Sequence, residues 1–205
     1  MHPTVARTIL ICSRTPAVFR ALVCGLEPDW TEHDYGPMPL TTPEAKANPD
    51  SVGGARTWSV REIMAHMLFN ERTDWMPRIR WVFEHGEAKP FERFDMIGHK
   101  PLLAQHTLAE MLDLFERERA ASLGDLAAMS LSEADLARRG THPALGPATV
   151  AHLLGAWIVH DLNHIAQMCK AMAYQAKSDA GPWEAYMSIL SPPSPRGGKP
   201  NSQPS

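Results

Sequence analysis

A chain of 205 residues is long enough to bury one sizeable core and too short for two independent ones. Its net charge of −3, from 20 basic and 23 acidic residues spread along the sequence, gives no basic stripe for phosphates and argues against nucleic acid as a partner. The three cysteines, Cys12, Cys24 and Cys169, form neither a CxxC pair nor a dense framework, which reads as free thiols in a reducing, cytoplasmic compartment.

The opening MHPTVARTILICSRTPAVF has only a short apolar run, Ile9 to Cys12, and no convincing signal-peptide core. Nothing elsewhere approaches the ~20 apolar residues of a membrane span, so no membrane role is expected. Thr15 before Pro16 predicts a helix start, with proline at the first helical position and an end near Gly25 to Pro28. Glu27 to Thr57 is crowded with Pro, Gly, Asp and Asn and reads as a long surface connection, with a turn of helix in PEAKAN. Ser59 and Glu62 form a capping box ahead of a second helix from Val60 to about Phe83, in which Pro77 predicts a kink or an early end.

His85 to Gln105 reads as irregular. Thr107 to about Met129 predicts a third helix, with Leu108, Met111, Leu112, Phe115, Leu123 and Leu126 at helical spacing. A loop rich in turn signals follows, and a fourth helix runs from near Thr149 to about Tyr174. GPWEAYMSIL suggests a short C-terminal helix, and residues 191–205 have the composition of a disordered tail after a single domain over residues 1–190. No alternating β-branched run suggests a sheet, so the expected architecture is an all-α four-helix bundle with long connections.

The fourth helix carries His160 and His164, four residues apart and therefore on one face. Alone, such a pair is more often two hydrogen-bonded histidines than a metal site. Here His164 falls inside the apolar stripe and His160 at its edge, so both point into the bundle, where a neutral imidazole needs partners for both nitrogens. His66, on the flank of the second helix's stripe, is the best third ligand in a helical region, although projection alone slightly favours a solvated edge; His152 is a weaker alternative. Asp161 also lies near the stripe, either anchoring a histidine or neighbouring helix or forming a buried salt bridge unrelated to a metal.

TWSVREIMAHMLFNE, then HPALGPATVAHLLGAWIVHDLNHIAQMCKAM and GPWEAYMSIL, resemble the DinB-like family of damage-inducible and thiol-transferase-related four-helix bundles, over roughly Phe19 to Leu190. The resemblance implies a metal triad, commonly zinc or nickel, at His66, His160 and His164, and a homodimer. It also implies a small-molecule partner, with a low-molecular-weight thiol among the candidates, since the family contains thiol S-transferases and a thiol-dependent isomerase beside members without known activity. The leading expectation is a metal-dependent transferase or hydrolase; the alternative is a non-enzymatic metal-binding or stress-response bundle. Asn70, Ala156 and Gln167 are expected to wall a pocket between the second and fourth helices. His142 and Glu71 are the candidate proton acceptors, and the segment with Phe91 and Phe94 is either an apolar lid or a crossover connection.

Overall fold

The computed structural model describes residues 1–34 and 57–190. The expected PEAKAN turn and the expected tail lie outside these residues. Four helical columns form the body. The first is Pro3–Cys12 (α1) followed by Thr15–Val23 (α2), with a four-residue turn of helix at Pro28–Thr31 (α3). The second is Val60–Thr73 (α4) followed by Trp75–His85 (α5), the third is Leu108–Ala128 (α7) and the fourth Val150–Gln175 (α9). Each column packs against two others: α4 on α7, α7 on α1 and α2, α1 on α9, and α9 on α4 and α5.

The starts follow local chemistry. Ser59 Oγ accepts from the Glu62 amide at 3.2 Å while the Glu62 carboxylate accepts from the Ser59 amide at 2.8 Å, and Thr107 with Glu110 repeats the arrangement. Both broken columns break at proline. Pro77 has no N–H for the Thr73 carbonyl and its ring crowds that turn, so α4 ends three residues earlier, at Asp74. Pro16 likewise leaves the Cys12 carbonyl without its helical donor. The sequence expectation is corrected here: Thr15 is the first helical residue after Arg14 rather than the cap, and a helix not foreseen, α1, precedes it with the His2 side chain as its cap.

Three further differences concern connections. The span His85 to Gln105 contains a short helix, Lys100–Gln105 (α6). The loop before the fourth column holds Glu133–Ala137 (α8) and a two-stranded antiparallel hairpin, Arg139–His142 (β1) with Gly146–Thr149 (β2), in register Arg139 to Thr149. Its strands lack the alternation of a half-buried sheet, which is why periodicity did not show them. The C-terminal segment forms 3-10 turns, Gly181–Tyr186 and Ser188–Leu190, tied back by Tyr174 Oη donating to the Leu190 carbonyl at 2.8 Å.

The core divides into two apolar clusters. One gathers Trp75, Leu123, Leu126, Leu154 and Trp157; the other gathers Phe19, Met64, Leu68, Phe115 and Met168. Between them lies a polar layer. Arg119, 1% exposed, falls between Phe115 and Leu123 on the α7 stripe. Its guanidinium meets Asp161 through two contacts, 2.5 and 3.1 Å, and its Nε donates to Glu71 at 2.9 Å. Nη1 also donates to the Cys12 carbonyl freed by Pro16, at 3.0 Å, and Thr15 Oγ1 donates to Asp161 at 2.7 Å. Phe115 and Trp157, one from each cluster, lie 4.7 and 5.1 Å from the guanidinium carbon. All four columns therefore meet on one cation.

Removing that cation strands two buried carboxylates. Arg119→Met is expected to destabilise the protein by ~3–5 kcal/mol, the range for breaking a buried pair from one side. A urea melt that moves by less than about 1 kcal/mol would show that the network is not the structural node.

Candidate metal centre

His66 sits on α4, and His160 and His164 on α9, one turn apart. Glu71 and Asp161 both turn inward to Arg119, which sets the rotation of these two helices and faces their histidines toward each other. One ring nitrogen from each histidine lies within 4.8 Å of the others. His66 and His164 are 6% and 7% exposed, so the ligand face is inside the bundle. Trp58 covers it, its ring 4.8 Å from that of His66 and 6.3 Å, nearly parallel, from that of His164. Trp75 packs edge-on to His160 at 5.1 Å.

The geometry suits a metal. His66 Nε2 and His160 Nε2 are 3.3 Å apart, the separation of two nitrogens at a tetrahedral angle on bonds of ~2.0–2.1 Å. His164 Nδ1 is 2.7 Å from Gln167 Oε1, so the glutamine accepts its proton and leaves Nε2 as the free donor nitrogen. The Nδ1 atoms of His66 and His160 are buried without a hydrogen-bond partner. Burial, then the neighbouring His164, His160 and His99, push His66 down to about 2; burial and His160 push His164 down to about 3. Neutral imidazoles with converging lone pairs are what a divalent cation binds. Among the described residues the potential ligand group comprises these three histidines alone, leaving room in the coordination shell.

The other expected site residues divide. Asn70 is buried, its Nδ2 3.0 Å from His66 Nε2, and Gln167 holds His164; both act on the ligands themselves. Ala156 is exposed one turn before His160 and encloses nothing. Glu71 is committed to Arg119, and burial against that pairing raises its pKa. His142 lies in β1, its Nδ1 accepting from the amides of Ala144 and Leu145 at 3.1 Å, so it shapes the hairpin turn. Asp161 forms a buried salt bridge with Arg119, and that same contact anchors α9 to α7: burial raises its pKa, but His160, Arg119 and Thr15 outweigh this and hold it below the usual carboxylate range. Cys12, buried and pushed up to about 12 by burial and Asp161, is no nucleophile.

Sequence reasoning missed two neighbours. His99, 2% exposed, brings its ring within 5.8 Å of that of His66 and 5.1 Å of that of Trp58. It follows a non-periodic segment, where no pattern signals burial. Trp58 precedes the capping box, and that position was the available signal. Phe94 meets His66 edge-on at 5.8 Å, so the lid reading of its segment has a contact behind it.

The comparisons with known proteins agree with this architecture. The family model of the DinB superfamily matches residues 13–168, and the chain belongs to that superfamily. A solved structure, YfiT from Bacillus subtilis, described as a probable metal-dependent hydrolase with an unusual four-helix bundle topology, is similar with a TM-score of 0.64 at 16% identity, over 88% of this chain and 90% of that one. No curated protein matches the sequence. No described helix is long and apolar enough to cross a membrane.

Two outcomes follow from the histidine geometry. Purified protein should bind about one zinc or nickel per chain, and His160→Ala should abolish binding while leaving helicity intact; unchanged metal content by elemental analysis would refute the assignment. Second, because His66 and His164 resist protons in the fold, the unfolded chain takes up more protons below the ordinary histidine value of 6.5. Stability of the metal-free protein is therefore complete above pH 6.5 and lost as pH falls toward 3, by up to about 1.4 kcal/mol per pH unit for each group. Urea midpoints in chelator at pH 7.5 and 5 measure this, and His66→Gln should flatten the difference.

Proposed function

We propose that the chain is a metal-dependent enzyme that activates a small nucleophile at a divalent ion held by His66, His160 and His164: a hydrolase when the nucleophile is water, an S-transferase when it is a low-molecular-weight thiol. The observation that carries this reading is the 3.3 Å approach of two imidazole nitrogens beside a third, with no fourth ligand in the group. A catalytic site needs that open position; a structural one closes it. The description of YfiT as a probable metal-dependent hydrolase supports the same class.

A bound divalent ion supplies Lewis acidity, which acidifies a water or thiol and polarises an electrophile. The chain's own residues do the rest. Gln167 fixes the His164 ring, and Asn70 stands beside His66 Nε2 with an amide that orients a polar group but takes no proton. With Glu71 paired and Asn70 neutral, neither contributes a general base, so activation by the ion fits better than activation by either side chain. Trp58 and Phe94 pack over the ligands and limit water. Cys12, buried and raised, supplies no thiolate, and a low-molecular-weight thiol is the proposed sulfur source of any transfer. Zinc or nickel as the ion, a cytoplasmic location and a homodimer as the working species are proposed from the family resemblance.

The test is a paired screen of ester hydrolysis and of thiol transfer to electrophiles, with zinc-loaded, nickel-loaded and chelated protein. Turnover that vanishes with chelator and in His160→Ala, and returns only to the wild type on readdition of metal, is the expected result. Turnover indifferent to chelator would overturn the metal chemistry. A loaded structure with a fourth protein ligand would make the site structural.

A further inference from the structure

A cavity of about 320 Å³ opens among the end of α4, α5 and residues 91–95. Four rings wall it: Phe69, Trp81, Phe91 and Phe94. It is not bounded by Asn70, Ala156 or Gln167, the residues expected to line a pocket. Its volume is at the lower end of the roughly 300–1,000 Å³ of small-molecule sites, and its ring-lined walls have the usual apolar character.

The walls are built to stay in place. The Phe91 amide donates to the Thr141 carbonyl at 2.9 Å, fastening the segment to the hairpin. A Cβ on Gly140 would lie 2.7 Å from the Phe91 ring, and one on Gly98 would lie 2.3 Å from the Phe69 ring, so both approaches require glycine. Phe94 joins the cavity to the histidine cluster: it lines the cavity and also packs against His66, its ring 5.6 Å from that of Phe69.

The charge around the cavity gives an anion no net attraction. Arg78 lines it, but its guanidinium is already paired with buried Asp74, one turn back on the same column, and lies 5.4 Å from the Phe91 ring centre. Arg93 is the other cation, and Glu92 and Asp95 lie in the same wall, so the two guanidiniums are matched in number by two carboxylates. A carboxylate entering here would meet a lining with no net positive charge, whereas a flat uncharged group would meet four aromatic faces and edges.

We propose that this cavity is the subsite for an uncharged aromatic portion of the substrate, one or two rings in size, whose reacting group extends past Phe94 to the histidines. The inference rests on the metal-centre reading above and names the substrate class for it. The proposed enzyme thus acts on aryl-bearing electrophiles rather than on small polar ones. Thr73, exposed on the cavity wall, offers a way to fill the site without touching the core or the ligands.

The experiment uses hydroxamates, whose oxygens bind zinc, in isothermal titration against zinc-loaded protein. Naphthylacetohydroxamate should bind at least about tenfold more tightly than acetohydroxamate, and Thr73→Trp should remove that advantage while leaving zinc content and acetohydroxamate binding unchanged. Equal binding of the two by the wild type, or an advantage that survives Thr73→Trp, would overturn the proposal. If neither hydroxamate binds loaded protein, the open metal site fails, and the cavity is judged separately with naphthalenemethanol in chelator. Binding that Thr73→Trp weakens about tenfold then sustains an aromatic subsite, and its absence removes it. Naphthoate binding more tightly than naphthalenemethanol would overturn the uncharged class.

Discussion

Arg119 is the constraint on which the rest of the bundle depends. A guanidinium at the centre of a core is tolerated only when its donors are taken, and here they are taken by Asp161, Glu71 and the Cys12 carbonyl, from three different columns. One cation faces two carboxylates, and the structure divides them unequally. Burial raises both groups; at Asp161 the neighbouring His160, the two guanidinium contacts and the Thr15 hydroxyl outweigh it and hold the carboxyl below the usual range, whereas at Glu71 burial prevails over the single contact. The layer occupies the gap between two apolar clusters, where the columns would otherwise slide or rotate against one another. A polar layer that accepts one geometry specifies register better than apolar packing, which tolerates many.

The histidine cluster takes its geometry from that layer. Glu71 immediately follows Asn70 on α4, and Asp161 immediately follows His160 on α9. Fixing the two carboxylates on a common cation therefore fixes where Asn70 and His160 project, and with them His66 and His164 one turn away on each helix. The break at Asp74 adds to this. By ending α4 before Pro77 it lets α5 start afresh at Trp75, with Trp75 against His160 and Trp81 in the wall of the aromatic cavity. One proline thus separates the helix that holds a ligand from the helix that shapes the neighbouring cavity.

Much of this was legible before any coordinates. Capping chemistry placed the start of α4 at Ser59, and apolar spacing placed α7 and α9, because both signals are local to a helix. The two α9 histidines were legible as a pair for the same reason. His66 required the family resemblance, since its projection alone favoured a solvated edge. Arg119 lies inside ERERA, a run that reads as surface charge, although its spacing four residues from both Phe115 and Leu123 marks the buried stripe. The helix α1 and the hairpin escaped because one has a short apolar run and the other has no alternation.

The amino-acid order by itself determined the capped starts of α4, α7 and α9, the break at Pro77 and the two histidines that share a face, because each depends on neighbours within a few residues. Tertiary structure alone decided that His66 meets that pair, that Asp161 and Glu71 share Arg119, and that His99, Trp58 and Phe94 close around the ligands. It also decided that the aromatic cavity forms at α5 and residues 91–95, and that Ala156 stays in solvent. The physical reason is separation along the chain: contacts between residues 66 and 160, or 71 and 119, are set by how whole helices rotate and pack, and no local pattern carries that rotation.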